Sequence, residues 1–340
     1  MVFDRLLLTQ MGSASRPEEI EPQLYYQLTI RIYSITADKK VFFIVKIFSL
    51  LPFRLLYLLS DFMAWLACDV VRYRRNVVRQ NLTSSFPEKD IKEIRRIEKQ
   101  FYLFLCDYFM ETIKLATMSE KNMRKRLRVE NIEEINEAVR RGQSVTIYLG
   151  HYCNWEWVSS LPLHIDPAAQ CAQIYHPLEN KTFDRLFYRL RTRFDANNIA
   201  MSDIMQTLVR WKREGIPSVT GYIADQAPGL NIHLFVDFLN HETGVYTGPE
   251  RISKFLGAKA VYAHMCRPRR GYYTLRFIPI SDNVKKETIF ETSREYFRLL
   301  ETNIRETPQY WLWSHRRWKR PRSMFEAYHG DKAAEMLTHL

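Results

Sequence analysis

Cysteine is scarce in this sequence of 340 residues, and no two cysteines form a CxxC pair. Their odd number and wide spacing indicate neither a disulfide framework nor a zinc site, so we expect a reducing compartment. The five positions are Cys68, Cys106, Cys153, Cys171 and Cys266.

Several catalytic motifs are also missing, namely GxSxG, SxxK, GxxxxGK, GxGxxG and HExxH. Their absence argues against serine hydrolases with a nucleophile elbow, phosphate-loop and dinucleotide-binding enzymes, and zinc hydrolases. Because no nucleophile stands out, direct transfer between two substrates is a simpler expectation than a covalent enzyme intermediate.

The chain has no uninterrupted apolar run of the roughly 20 residues that a membrane-spanning helix needs. Residues 41–71 are strongly apolar but are interrupted by Lys46, Pro52, Arg54 and Asp61. This pattern fits either a buried helical hairpin or a broken helix lying in one leaflet of a membrane. A basic cluster follows at once, as on the cytoplasmic side of membrane anchors, and comprises Arg72, Arg74, Arg75 and Arg79. We therefore assign residues 36–80 to a membrane-anchoring helical segment, whether spanning or monotopic, that follows a variable extension at residues 1–35.

Acidic residues are outnumbered, 38 against 50 basic ones, which gives a net charge of +12. Such a surplus attracts nucleic acid, acidic lipid or an acidic protein. Near the C-terminus, Arg316 and Lys319 alternate with tryptophans. The pattern suits stacking on nucleic-acid bases, an anionic lipid surface or an acidic carrier protein, while the tryptophans alone would also suit a core. The apolar N-terminal segment favours the membrane over nucleic acid.

Strand-like and helix-like segments alternate beyond about residue 130, after a long helix expected at residues 88–117. This alternation predicts an α/β domain at residues 81–325, with a central, mostly parallel sheet flanked by helices and a tail at residues 326–340. The segments predicted as strands are 144–150, 169–175, 218–224, 259–266 and 272–279.

The segment SVTIYLGHYCNWEW, residues 144–157, carries the strongest chemical signal. A strand ends at Gly150, His151 follows, and Asn154 is placed to cap a helix whose first turn contains Glu156. Catalytic groups of α/β sheets gather where strands end. We expect Glu156 to hydrogen-bond one ring nitrogen of His151, so that the other takes a proton from a hydroxyl attacking an acyl carbonyl. The alternative is a core histidine bonded to backbone.

Three separated blocks, residues 73–89, the His151–Glu156 block and residues 308–321, occur in the order and spacing of one family. The chain resembles the bacterial late acyltransferases of lipid A biosynthesis over about residues 41–322. The resemblance implies a glycerol-phosphate acyltransferase-like fold and His151 as general base with Glu156 as its acidic partner. It also implies an acyl thioester donor, usually acyl carrier protein, and a hydroxyl of a glycolipid, an acylated disaccharide phosphate, as acceptor. No metal or other cofactor is implied, and the site would face the cytoplasm from the bacterial inner membrane.

Further positions match the family. Asp225 and Gln226 correspond to an Asp-Gln pair near the active-site end of the sheet, although a turn residue after a strand is an equal reading of Asp225. Arg191 and Arg193 fit a position where a cation binds a substrate phosphate or polarises the thioester carbonyl. A solvated helix face is the alternative for either arginine.

One departure concerns His176, which precedes Pro177 where the family often has arginine. A neutral histidine offers one donor in place of a bidentate fork. This keeps open a different acceptor, an amino-acid lipid or a lysophospholipid. An alternative of another class is a non-catalytic basic protein that binds membranes or nucleic acid.

Overall fold

Short runs rich in β-branched and aromatic residues form the strands of this protein, as their composition favours. The computed structural model describes residues 38–338. Its strands are β1 Leu127–Glu130, β2 Val145–Leu149, β3 Gln170–Tyr175, β4 Asn197–Ala200, β5 Ser218–Ile223, β6 Phe235–Phe238, β7 His241–Gly244, β8 Lys259–Arg269 and β9 Tyr272–Ser281.

Twelve α-helices surround the strands in the described part of the chain. They are α1 Asp38–Leu50, α2 Phe53–Trp65, α3 Arg75–Ser85, α4 Ile91–Lys114, α5 Glu120–Arg126, α6 Ile132–Arg140, α7 Lys181–Arg191, α8 Ile204–Arg213, α9 Gly248–Leu256, α10 Glu291–Glu306, α11 Arg322–His329 and α12 Ala333–Met336. The long helix expected at residues 88–117 is α4, and Asp90 caps it by accepting from the Glu93 amide at 2.8 Å.

Seven strands form one sheet in the order β1-β9-β8-β2-β5-β3-β4, and β6 and β7 form a separate hairpin. Every pair in the large sheet is parallel except β8 with β9. The prediction of an α/β fold with a mostly parallel sheet is therefore confirmed. The strands that the sequence did not reveal, β1, β4, β6 and β7, have only four residues each, too few to show a periodicity.

Successive residues of a strand point to opposite faces of the sheet. The front face carries Ile147, Cys171 and Val219, and the back face carries Ala172 and Tyr222. On the front face lie α7 and the 3₁₀ segment Trp155–Leu163. The side-chain amide of Gln173 donates to the carbonyl of Arg191, the last residue of α7, at 3.3 Å. On the back, Ile204 of α8 and Ile252 of α9 cluster with Ala172 and Tyr222.

The apolar N-terminal segment forms α1 and α2, which meet at a bend of 113°. Among residues 38–338 neither helix alone has the length and apolarity to cross a bilayer, although the bent pair has both. One side of α2 packs on the α/β domain, where the Ser60 hydroxyl donates to Asp107 of α4 at 2.7 Å. Residues 1–35, predicted as a variable extension, lie outside the described residues. At the other end of the chain, residue 325, the predicted end of the α/β domain, falls inside α11.

Helix α3 belongs to the first family-like block and holds the third block in place. The Asn81 amide donates to the carbonyls of Trp313 at 2.8 Å and His315 at 2.9 Å, and Asn81 is buried. Two separated sequence blocks thus meet through one side chain.

We predict that Asn81→Ala lowers the free energy of unfolding by about 1–3 kcal/mol, because two carbonyls lose a buried donor. Denaturant unfolding measures the change, with Asn76→Ala, an exposed position of the same helix, as the control. Equal effects of the two substitutions would show that the Asn81 bonds do not stabilise the fold.

Candidate active site

His151 lies on a tight turn after β2. Cys153 takes a left-handed backbone conformation there, with φ 51°, which is uncommon for a residue other than glycine. The turn is fixed by pairing with the third family-like block, since the Leu312 amide donates to the His151 carbonyl at 3.1 Å and the Cys153 amide donates to the Tyr310 carbonyl at 3.0 Å. Asn154 caps the following 3₁₀ segment as predicted, accepting from the Trp157 amide at 3.3 Å.

The partner of the His151 ring is Asp225, which follows the neighbouring strand β5. Nδ1 of His151 donates to one carboxylate oxygen at 2.6 Å. The other oxygen accepts from the His151 backbone amide and from Nε1 of Trp311, each at 2.8 Å. Burial raises the pKa of Asp225, which is 1% exposed, but the His151 ring and the hydrogen bonds from His151 and Trp311 outweigh burial and hold the pKa below its ordinary value.

This arrangement selects one tautomer of His151. Because the ionised carboxylate only accepts, Nδ1 carries the proton and Nε2 keeps a free electron pair. The amide nitrogen of Gln226 lies 3.2 Å from Nε2 and donates to it. Trp155 packs against the ring edge, with centroids 5.1 Å apart. His151 is thus set up as a base, and Gln226 marks where a donating substrate group would sit.

His151, Trp155 and Gln226 line a cavity of about 690 Å³. This volume is typical of a small-molecule site, and most of its wall is apolar. Residues from both faces of the sheet contribute to the wall, including Cys171 and Val219 from the front and Ala172 and Tyr222 from the back. A base in the wall of an apolar cavity suits chemistry on a lipid.

The prediction that Glu156 hydrogen-bonds the His151 ring is wrong. Glu156 is buried, and its carboxylate accepts from Nε and Nη2 of Arg191 at 2.8 and 2.7 Å and from the Tyr108 hydroxyl at 3.3 Å. The reason is local, because the 3₁₀ segment turns residue 156 towards α7, while Asp225 already occupies Nδ1 of His151. A catalytic contribution of Glu156 stays a prediction, now through Arg191.

Of the other predicted substrate-binding residues, three line the cavity and one does not. Arg191, Gln226 and His176 line the cavity, and the His176 ring donates to the Pro177 carbonyl at 3.0 Å. Arg193 does not line it, since its guanidinium donates to two backbone carbonyls at 2.7 Å each, those of Ala116 and Met118. The structure therefore gives Arg193 a structural contact in place of the predicted substrate contact.

The predicted contacts with anionic partners divide as well. Arg75 pairs with the buried Glu98 at 2.9 Å, and Arg74, although exposed, donates to the Ser314 carbonyl at 3.1 Å, so both have partners within the protein. Arg72, Arg316 and Lys319 are exposed.

Among residues 38–338 no group of three or more His, Cys, Asp or Glu side chains could hold a metal ion.

Sequence reasoning missed the role of Trp311, which it placed in a basic, aromatic tail. The indole donates to Asp225 beneath the base, and α3 holds the adjoining segment. The one signal was that Trp311 belongs to the third family-like block.

An α/β sheet that presents a histidine base in the wall of an apolar cavity defines a candidate enzyme of lipid chemistry. The chain matches the family described as bacterial lipid A biosynthesis acyltransferase over residues 27–320, so it belongs to that family and is an acyltransferase. This confirms the resemblance seen in the sequence.

Individual relatives are distant in sequence. The chain is 22% identical to the lipid A biosynthesis lauroyltransferase of Escherichia coli (strain K12) over 281 residues, 82% of this chain and 90% of the relative. It is 22% identical to the palmitoleoyltransferase of the same organism over 271 residues, 79% and 86% of the two chains. The match to its myristoyltransferase is 24% over 183 residues, 53% and 55% of the two chains.

We predict that Asp225→Asn lowers kcat by about 10²–10⁴, because asparagine has one acceptor oxygen for three donors. If that oxygen meets the His151 amide and Trp311, the asparagine NH₂ faces Nδ1 and forces the proton onto Nε2. Acyl transfer by the purified protein measures the loss, and Asp237→Asn, an exposed position of β6, is the control. Retention of wild-type kcat by Asp225→Asn would contradict the assignment.

Proposed function

We propose that the chain transfers a fatty acyl group from an acyl thioester, with acyl carrier protein as the donor, to a hydroxyl of a lipid A precursor. The observation that carries this proposal is His151 in the wall of the apolar cavity, with Asp225 bonded to its Nδ1 and its Nε2 left as the base. Family membership supports lipid A as the acceptor class.

In the proposed mechanism the acceptor hydroxyl replaces the Gln226 amide at Nε2 of His151. His151 takes the hydroxyl proton as the oxygen attacks the thioester carbonyl, and Asp225 stabilises the imidazolium that forms. The tetrahedral intermediate then collapses, the C–S bond breaks, and the imidazolium returns its proton to the leaving sulfur. The products are the ester and the free thiol of the carrier.

Arg191 is the proposed donor to the negatively charged oxygen of the intermediate or to a substrate phosphate. Its bonds to Glu156 use Nε and Nη2, and no hydrogen bond within residues 38–338 uses Nη1. Glu156 is then a positioning residue that holds a half-buried guanidinium in a bidentate geometry. The cavity wall brings Arg191 and His151 to the same space.

The front-face part of the cavity, which we call the closed branch, is the proposed site of the donor chain. Its wall is formed by Ile147, Val158, Leu161, Cys171 and Val219. Four of these side chains are buried and Val158 is half-buried. A blind apolar pocket excludes water and limits the chain length that fits, so its depth sets the donor preference.

Membrane attachment through α1 and α2 forms part of the proposal, at the inner membrane with the site towards the cytoplasm. Several large apolar side chains of these helices are exposed, more than a soluble surface ordinarily carries in one patch: Phe43, Ile44, Ile47, Phe48, Leu50, Leu55, Leu58, Phe62 and Trp65. Helix α1 also contacts α7, with Arg189 lying 5.0 Å over the Phe42 ring. With α1 on the membrane, as proposed, the helix that carries Arg191 lies next to it, while the exposed Arg316 and Lys319 suit an acidic carrier protein.

The direct test is transfer of a labelled acyl group from acyl carrier protein to a lipid A precursor by wild type, His151→Ala and Asp225→Asn. The proposal requires transfer by wild type and its collapse in both variants at equal protein levels. If wild type acylates a lysophospholipid or an amino-acid lipid instead, the acceptor assignment fails. His176 at the cavity is the feature that favours these acceptors.

A double-mutant cycle separates the two carboxylates. Glu156→Gln and Arg191→Gln should each reduce kcat/KM, and the double variant should be no worse than Arg191→Gln, because Glu156 acts through Arg191. Steady-state kinetics with fixed donor measures the three variants. Additive losses would mean that Glu156 has a role of its own in the reaction, as the sequence first suggested.

Replacing Leu58 and Phe62 together by glutamate should reduce vesicle binding by about 100-fold or more, since two apolar side chains lose their burial in lipid. These residues are 66% and 56% exposed. Flotation with anionic phospholipid vesicles measures the change, and Tyr328→Glu, at a residue 69% exposed on α11, is the control. Undiminished binding of the double variant would place the membrane contact elsewhere.

A further inference from the structure

The sheet opens between β3 and β5 at the carboxyl ends of these strands. Their pairing runs from Gln170 with Ser218 to Gln173 with Gly221 and then stops. Beyond this point β5 stays paired with β2 as far as Ile223, while β3 stays paired with β4 as far as Tyr175. The gap between β3 and β5 lies where the connection after β3 runs to the front face of the sheet and the connection after β5 runs to the back face. Such a switch point is where α/β sheets form their ligand crevices.

The cavity wall includes residues from both sides of this gap. The closed branch lies on the front face. A second set of lining residues belongs to the back face of the sheet, to α8 and α9 and to the segments that precede these helices. We call it the open branch: Ile174, Met201, Ile204, Tyr222, Tyr246 and Ile252. Gly221 lines the cavity at the last β3–β5 pair and adds no side chain to the opening. One cavity therefore reaches both faces of the sheet, with His151 at the strand ends.

The two branches differ in access to the surface. Met201 and Tyr246 of the open branch are 36% and 39% exposed, whereas the closed branch has no exposed wall residue among those named. Met205 of α8 and Phe255 of α9, the helices that carry Ile204 and Ile252, are exposed as well. A chain that is part of a membrane lipid enters such a branch from its rim.

The open branch also contains an unsatisfied polar group. The Tyr222 residue lines the cavity and is 5% exposed, and its hydroxyl is buried and has no hydrogen-bond partner within residues 38–338. A buried hydroxyl without a partner is costly, so the site favours an occupant that brings an oxygen to it. An ester, amide or hydroxyl group near the head of an acyl chain has this chemistry.

We propose that the open branch binds an acyl chain already attached to the acceptor lipid, while the closed branch holds the donor chain on the other face of the sheet. This inference rests on the proposed function, because it gives the acceptor a second apolar subsite next to His151. Tyr222 donates to an oxygen of the acceptor chain. The enzyme then recognises an acceptor by its chain as well as by its head group.

Adjacent residues of β3 provide a matched pair of variants. Cys171 faces the closed branch and Ala172 the open branch, and they are 8% and 7% exposed. Native mass spectrometry of the full chain with hexadecanoate as the probe should show two bound molecules in wild type and one in each of Cys171→Leu and Ala172→Leu. Thermal unfolding of both variants checks that the fold persists, and Tyr222→Phe is a third variant that removes no packing.

Kinetics should separate the branches. Ala172→Leu and Tyr222→Phe should raise KM for a chain-bearing acceptor about ten-fold and leave the order of preferred donor chain lengths unchanged. Cys171→Leu should instead shift the preference to shorter donor chains and change the acceptor KM by less than about two-fold. A single hexadecanoate bound by wild type, or the same shift of donor preference in Cys171→Leu and Ala172→Leu, would overturn the inference even if transfer occurs. Two hexadecanoates in a wild-type chain that acylates no glycolipid would instead overturn the proposed function and support the two-branch cavity.

Discussion

The buried carboxylate of Asp225 is the group around which the site is arranged. It joins three parts of the chain that are far apart in sequence, the turn after β2, the end of β5 and the third family-like block, through donors from His151 and Trp311. A buried charge without these donors would be strongly unfavourable, so the bonds that hold the turn also fix the His151 tautomer. The stability of the fold around Asp225 and the basicity of Nε2 of His151 thus depend on the same contacts. Asn81 extends the arrangement to α3 by holding the segment that follows Trp311.

Two other buried carboxylates have comparable roles. Glu156 holds Arg191 at the cavity, and Glu111 of α4 accepts from the side chains of Asn154 and Tyr273, each at 2.7 Å. Burial raises the pKa of Glu111, although the Arg267 guanidinium and the hydrogen bonds oppose this effect. Because Asn154 caps the segment after His151 and the Tyr57 hydroxyl of α2 donates to Glu111, helix α2 and the turn that carries His151 share one support.

The fold class, most of the longer strands and helices, and His151 at a strand end could be predicted from sequence, because each depends on local pattern. Family resemblance brought in Asp225 and Gln226, but not what they do. Spacing within one segment suggested Glu156 as the partner of His151, whereas the partner lies 74 residues away along the chain, next to His151 only because β5 pairs with β2. The partners of Arg75 and Arg193 were missed for a similar reason, since a basic residue in a sequence does not reveal which carboxylate or carbonyl its side chain will contact. The four-residue strands were too short to show a periodicity in the sequence. The cavity could not be predicted either, because it depends on where two neighbouring strands of the sheet separate.

The central claim is that Asp225 holds neutral His151 with its proton on Nδ1 and leaves Nε2 as the base. Nitrogen-15 NMR of histidine-labelled protein measures the tautomer directly, with the His151 signals assigned by their loss in His151→Gln. The account predicts a protonated Nδ1 and an unprotonated Nε2 in wild type, and a shift towards the other tautomer in Asp225→Asn. A proton on Nε2 in the wild-type protein, or a tautomer unaffected by Asp225→Asn, would contradict it.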